Sequence, residues 1–210
     1  MTMRLLSGLA LLLCVAAVPV CAADVLAPDA LAKSVTQDVL DAVRADKDLQ
    51  SGNSQKVLQL VESKVLPHFD FARMTQLAMG RNWRQATPEQ QKVLTNEFRT
   101  LLVRTYTAAF TQYRNQTVDY KPVRLGPNDT DVIVKSVINQ PGAQPIAVDY
   151  GMGKGAQGWK VYDVKIEGIS LVENYRGTFN TEVQKGGVEG LIKALSDKNH
   201  SAAQTRASAK

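Results

Sequence analysis

Few side chains in this chain of 210 residues are suited to acid–base or metal chemistry. Its two histidines, His68 and His200, are far apart in the sequence and do not form the closely spaced pair of a zinc site. No serine stands in a G-x-S-x-G motif, so a serine nucleophile is not indicated. A carboxylate base in an apolar cavity remains an alternative, with Asp149 or Asp163, each next to a tyrosine. We therefore predict a protein that is not an enzyme and has no cofactor.

The first 23 residues are typical of a secretory signal peptide. Arg4 supplies the positive charge, an apolar run follows from residue 5 to residue 18, and small residues come before residue 24. We predict cleavage after Ala23, with cleavage after Ala22 as an alternative. The mature chain is then expected to be exported.

Two other interpretations of this N-terminal segment stay open. A retained membrane anchor is one, although the run is shorter than the roughly 20 apolar residues that span a bilayer. A lipoprotein signal at Cys21 is the other, although Val20 stands where that signal has a small residue. Both cysteines, Cys14 and Cys21, lie in this segment. The mature protein would therefore have no disulfide, thiolate nucleophile or zinc–thiolate site.

The charge of the chain is weakly basic and scattered. The formal net charge is +5, and removal of Arg4 with the leader lowers it by one. No two lysines or arginines are consecutive, so nucleic acid is not expected as a partner. The small excess of positive charge has two interpretations: it keeps the protein soluble, or it gives a weak attraction to anionic lipid surfaces or acidic partners.

Apolar residues at spacings of three and four predict helices in the first half of the mature chain. A Thr-Pro-Glu-Gln capping box opens the longest of them, and Gly80 ends the one before it. The predicted helices are 30–45, 54–65, 71–79 and 87–113.

From residue 117 the apolar period changes to two, which predicts strands. The four candidates are 117–123, 132–139, 145–152 and 158–166. In the last of them Trp159 and Val161 have one parity while Val164 and Ile166 have the other, so we predict a bulge near Tyr162. Asp149 alternates with apolar neighbours in the third and should point away from the interior.

The chain returns to helix after the strands. A second capping box, from Ser170 to Glu173, begins a helix over 171–184, and Gly186 and Gly187 separate it from a short helix that ends at Leu195. Residues 197–210 are polar and predict a disordered tail. The predicted fold class is α+β: N-terminal helices, a four-stranded antiparallel curved sheet and C-terminal helices.

Two segments carry a specific resemblance. They are FDFARMTQLAMGRNWRQATPEQQ at 69–91 and GWKVYDVKIEGISLVENYR at 158–176. In this order and at this spacing they resemble the MlaC family, the periplasmic phospholipid-binding proteins of the outer-membrane lipid-asymmetry pathway, also called the toluene-tolerance family. The resemblance covers about residues 31–195. It implies one domain over 24–196, with a nuclear-transport-factor-2-like cone around an apolar pocket.

The resemblance also implies a function. The chain would be a monomeric carrier of phospholipid between an outer-membrane lipoprotein–porin complex and an inner-membrane ABC transporter complex. Two alternatives stay open, a binding module for small apolar compounds and a non-catalytic envelope adaptor with a filled core. The tail pocket would use apolar residues of the predicted helices and strands: Met74, Leu77, Trp83, Phe98, Leu102, Tyr106, Phe110, Val134, Ile146, Val148, Tyr150, Trp159, Val161, Ile169 and Tyr175. The head-group rim would use four cations: Arg81, Arg84, Lys165 and Arg176.

Overall fold

The structure is a computed structural model that describes the backbone of residues 26–111 and 116–208. Side chains are described for these residues except 108–111 and 202–208. The predicted signal peptide and both cysteines lie outside the described residues. Over the described part of the chain, no helix is long and apolar enough to cross a membrane.

The first half of the described chain is helical, as predicted. Helix α5 begins with the predicted capping box, in which the Thr87 amide donates to Gln90 Oε1 at 2.9 Å and the Gln90 amide donates to Thr87 Oγ1 at 3.2 Å. The second predicted helix changes after Leu60 into a π-helical turn and then a 3₁₀ turn. The α-helices are α1 (Pro28–Ala45), α2 (Lys47–Gln50), α3 (Ser54–Leu60), α4 (Phe71–Met79) and α5 (Pro88–Thr111).

The second half contains one antiparallel sheet of five strands in sequential order. Its strands are β1 (Thr117–Tyr120), β2 (Asp131–Asn139), β3 (Ile146–Gly155), β4 (Gly158–Ile166) and β5 (Ile169–Ser170). The prediction of four strands is therefore wrong by one. The fifth has two residues and follows a two-residue turn in which Glu167 and Gly168 have φ of 50° and 80°. A strand this short shows no alternation in the sequence, although such turns are typical of hairpins.

The predicted bulge lies in β4. Gly151 of β3 pairs with Asp163 and Met152 pairs with Val161, so Tyr162 is the extra residue between them. The extra residue brings Trp159, Val161, Val164 and Ile166 to the same face of β4. All four belong to one apolar cluster. Tyr162 packs against a different cluster. The two faces of β4 therefore contact different parts of the protein.

The sheet is followed by helix α6 (Leu171–Ser208). Ser170 caps it by accepting from the Glu173 amide at 3.0 Å. The predicted break is present, since Gly186 and Gly187 have non-helical backbone angles. The helix continues past the predicted boundary at residue 196, and the Asn199 side chain donates to the Glu97 carbonyl at 3.0 Å. The segment predicted to be a disordered tail thus begins inside a helix.

The buried apolar residues form three clusters. The N-terminal cluster joins α1, α2, α3 and the π-helical turn. The helical cluster joins α4, α5 and α6, and its largest fully buried side chains are Met74, Leu94, Phe98, Phe179 and Leu191. The inner-face cluster lies on one face of the sheet, called here the inner face, and its buried members are Val134, Val148, Met152, Trp159, Val161 and Val164. The opposite face of the sheet is called the outer face.

Candidate functional site

The strand residues predicted for the tail pocket share the inner face. Because side chains alternate along a strand, Ile146, Val148 and Tyr150 of β3 point to the same side. Four of the predicted strand residues are buried, and Ile146 and Tyr150 are half-buried. Leu31 and Ala32 of α1 pack against this surface. The inner face is therefore a mainly apolar surface that α1 partly covers.

The helix residues predicted for the same pocket lie in a different layer. They belong to the helical cluster: Met74, Leu77, Trp83, Phe98, Leu102, Tyr106 and Tyr175. Tyr162, on the outer face of β4, also packs against that cluster, whereas Trp159 and Val161 of the same strand lie on the inner face. Phe69 packs against both clusters. The structure thus separates the predicted pocket residues into two sets on opposite faces of β4, joined at its edge.

One further predicted pocket residue belongs to neither set. Ile169, the first residue of β5, has 64% of its surface exposed. It therefore lies at the edge of the sheet and not in its interior. The side chain of Phe110 lies outside the described residues.

The helical cluster is tightly closed around one aromatic side chain. Phe98 is fully buried, and its ring centroid lies 5.0 Å from those of both Tyr175 and Phe179. Both contacts are edge-to-face, the geometry that aromatic pairs prefer. This packing is typical of a filled core.

The inner face differs because hydroxyl groups interrupt its apolar surface. The hydroxyls of Thr36, on α1, and Tyr120, on β1, lie 2.5 Å apart. Tyr120 stacks against Tyr150 with ring centroids 6.4 Å apart. The Ser136 hydroxyl donates to the Val148 carbonyl at 2.8 Å and also neighbours Tyr150.

The two inner-face tyrosines remain neutral. Burial raises the pKa of Tyr150, and the neighbouring Tyr120 raises it further. Burial also raises the pKa of Tyr120. Both phenols therefore keep their protons at neutral pH and can donate hydrogen bonds. Of these four hydroxyl-bearing residues only Tyr150 was predicted for the site, and the contact of Tyr120 with α1 has no signal in the sequence.

The four predicted rim cations lie at two places. Arg81 and Arg84 are exposed, in the 3₁₀ turn between α4 and α5. Lys165 and Arg176 line one groove of about 240 Å³ on the outer face, together with Leu77. Arg176 passes close to Gly80, where an added Cβ would be 3.6 Å from its Nε. The structure therefore brings together one pair of the predicted cations.

A larger groove, of about 380 Å³, was not predicted from the sequence. It lies beside the β3–β4 turn, and Lys154 and Lys160 line it. The Arg73 guanidinium stacks 3.7 Å from the centre of the Tyr162 ring and bonds Asp131. It occupies space that only glycine leaves free, since a Cβ on Gly153 would be 2.3 Å from Arg73 Nη1. Charged side chains, including those of Arg73, Lys154 and Lys160, therefore line this groove, which none of the predicted tail-pocket residues lines.

The candidate catalytic carboxylates have structural surroundings. Asp163 is buried and accepts from the Ser170 hydroxyl at 2.7 Å and from the Val172 amide at 3.2 Å. It thereby fastens the bulge of β4 to the start of α6. Asp149 lies on the outer face, as predicted, and stands opposite Lys165 in the β3–β4 pair. In the described residues, no group of three or more His, Cys, Asp or Glu side chains is arranged to hold a metal ion.

Known proteins match nearly the whole described chain. The sequence model of the MlaC protein family matches residues 33–197. The chain is 28% identical over 167 residues to the intermembrane phospholipid transport system binding protein MlaC of Haemophilus influenzae, covering 73% of this chain and 78% of that protein. It is 24% identical over 178 residues to the toluene tolerance protein ttg2D of Pseudomonas putida, covering 84% and 82%.

A solved structure is also similar. It is the phospholipid-binding protein from Ralstonia solanacearum in complex with a phospholipid, which is 48% identical to this chain with a TM-score of 0.76. The match covers 83% of this chain and 98% of that one. The family match and this fold agree with the motifs at 69–91 and 158–176. The chain belongs to the MlaC family.

Proposed function

We propose that this protein is a periplasmic carrier that binds a phospholipid by its acyl chains. The observation that carries the proposal is the likeness to a chain solved with a phospholipid, at 48% identity over 83% of this chain. The inner face supports it, because it offers a mainly apolar surface that is only half-buried at Ile146 and Tyr150. The Haemophilus influenzae relative gives a second support, because its name describes a binding protein of an intermembrane phospholipid transport system.

The energetics favour a binding protein for this task. Each methylene moved out of water contributes about 0.8 kcal/mol, so a chain of about 15 methylenes costs roughly 12 kcal/mol to expose. A phospholipid therefore needs a protein to cross the aqueous periplasm. The carrier itself requires an apolar surface and an opening, but no catalytic group.

We place the opening at the β5 edge of the sheet. Exposed Ile169 pairs with Ile166, whose side chain belongs to the inner-face cluster. Across the same edge, Lys165 and Arg176 line the groove on the outer face. Tails on the inner face and a phosphate near these two cations would then meet at this edge. Arginine suits phosphate because it donates two parallel hydrogen bonds.

We also propose that the carrier moves lipid between an outer-membrane lipoprotein–porin complex and an inner-membrane ABC transporter complex. Binding and release are its contribution, and the energy comes from the transporter. Release requires that the docked partner favour a more open state of the protein, since a partner shifts a conformational equilibrium only by its differential affinity.

Native mass spectrometry of the mature chain, purified from residue 24 onward without detergent, tests the proposal. We expect a bound mass equal to that of a diacyl phospholipid. A bare protein mass that stays unchanged after incubation with phospholipid vesicles would favour the adaptor. Uptake of toluene without uptake of lipid would favour the binding module for small apolar compounds, which the name of the Pseudomonas putida relative suggests.

A further inference from the structure

The inner face contains more hydrogen-bonding groups than hydrocarbon tails require. Four hydroxyls lie on or against it, those of Thr36, Tyr120, Ser136 and Tyr150; Thr36 and Tyr120 are hydrogen-bonded to each other, and Ser136 donates to the Val148 carbonyl. Burying a hydroxyl is unfavourable unless it is hydrogen-bonded. A surface that contacted only acyl chains would be more stable with phenylalanine in place of tyrosine. These hydroxyls therefore call for a polar partner or a structural role.

We propose that the hydroxyls of Tyr120 and Tyr150 bind the ester carbonyls of a diacyl lipid, and so make the carrier selective for ester-linked over ether-linked lipids. This inference rests on the proposed function, because it requires the tails to lie on the inner face. The ester carbonyls join the tails to the glycerol, so they are the polar atoms closest to the apolar surface.

The hydrogen bonds available to the inner-face hydroxyls favour ester carbonyls as the partners of the two phenols. The Ser136 proton is directed to the Val148 carbonyl, at 2.8 Å. The Thr36 hydroxyl is carried by α1, which packs on the inner face. Lipid that enters between α1 and the sheet would separate Thr36 from Tyr120. The phenol would then lose its partner, and a buried donor without a partner is costly. An ester carbonyl restores the bond, whereas a dialkyl ether lipid has no carbonyl there.

The burial of the two phenols agrees with a donor role. A phenol already keeps its proton at neutral pH, and burial raises the pKa of both hydroxyls further. Selectivity then follows from the difference between two complexes. The ester lipid satisfies the phenols, and the ether lipid leaves at least one of them unpaired.

The alternative is that the hydroxyls only fasten α1 to the sheet. Thr36→Val separates the two explanations, because it removes the bond between α1 and Tyr120 but leaves both phenols in place. Tyr120→Phe and Tyr150→Phe remove one phenol each and keep the ring, so the apolar packing of the face is preserved.

The experiment is a competition read by native mass spectrometry. The delipidated mature chain is incubated with vesicles that contain equal amounts of diacyl phosphatidylcholine and its dialkyl ether analogue, with equal chain lengths. The ratio of the two adducts is measured within one sample, so it does not depend on the fraction of folded protein. For the wild type we expect an ester preference of roughly two- to tenfold, the value of one hydrogen bond.

Each tyrosine variant should bind both lipids with a ratio closer to one, and Thr36→Val should keep the wild-type ratio. A wild-type ratio of one with both lipids bound would overturn this inference and leave the proposed function intact. An equal loss of preference in Thr36→Val would overturn it in favour of the structural role. A wild type that takes up neither lipid would overturn the proposed function as well.

Discussion

The helical cluster and the inner face are both apolar, yet they differ in how completely they are filled. Phe98 is fully buried between two other rings, and its neighbours Met74, Leu94 and Phe179 are at most 1% exposed. On the inner face, half-buried Ile146 and Tyr150 alternate with the buried Val148. The first region has the density of an ordinary core. The second keeps apolar surface that a ligand can still cover.

This difference separates stability from binding within one small domain. A closed cluster lowers the free energy of the folded state whether or not a ligand is present. An incompletely covered face contributes less to the stability of the lipid-free protein. Its contribution increases when a lipid binds, because ligand binding stabilises the state that binds. Lipid-free protein should therefore depend mainly on the helical cluster, and lipid-bound protein on both regions.

The largest expected effect is the loss of an aromatic ring from the helical cluster. Phe98→Ala should lower the free energy of unfolding by about 3–5 kcal/mol, because it leaves a cavity in close-packed surroundings. Urea unfolding of the lipid-free protein measures this. The comparison variant on the inner face is Ile146→Ala. It should lower the free energy of unfolding by less, about 1–2 kcal/mol, since the isoleucine side chain is only half-buried. Equal losses would remove the distinction between the two regions.

A second change weakens the connection between the outer face and the helices. Asp163→Ala removes the acceptor of both the Ser170 hydroxyl and the Val172 amide. We expect the free energy of unfolding to fall by about 2–3 kcal/mol, as for hydrogen bonds to a charged group. Asp163→Asn keeps one carbonyl acceptor and should lose about half as much. Urea unfolding of the lipid-free protein measures both losses, and an unchanged free energy of unfolding in Asp163→Ala would contradict this structural role.

The sequence predicted the elements better than their contacts. Capping groups are local, so the start of α5 at Thr87 and the break at Gly186 were predicted correctly. The bulge was visible as a change of parity between Val161 and Val164. A strand of two residues has no such pattern, so β5 was missed.

The site was less predictable because periodicity shows which residues are apolar, but not which layer they enter. Phe98 and Trp159 each belong to a periodic pattern of apolar residues, yet their clusters lie on opposite faces of β4. The hydroxyl pair of Thr36 and Tyr120 joins residues that are 84 positions apart. Such contacts depend on the tertiary arrangement, which local sequence does not encode.

The third prediction fills the inner face with a large side chain. Ile146→Trp should weaken phospholipid binding about tenfold or more, because the indole would occupy space that the tails need. The matched control is Ala147→Trp, which changes the next residue of β3, exposed on the outer face. Lipid transfer from vesicles, followed by native mass spectrometry, compares the two variants. Loss of binding in Ala147→Trp alone would place the tails on the outer face.

The smallest expected effect concerns the head group. Lys165→Gln with Arg176→Gln should weaken phospholipid binding about two- to fivefold, because contacts of partly exposed charges are screened by water and salt. Arg81→Gln with Arg84→Gln removes the same charge from the turn between α4 and α5 and should have no effect. Binding measured at low and high salt tests the electrostatic origin, since the difference should shrink as ionic strength rises. Weaker binding in the second pair alone would move the opening from the β5 edge to that turn.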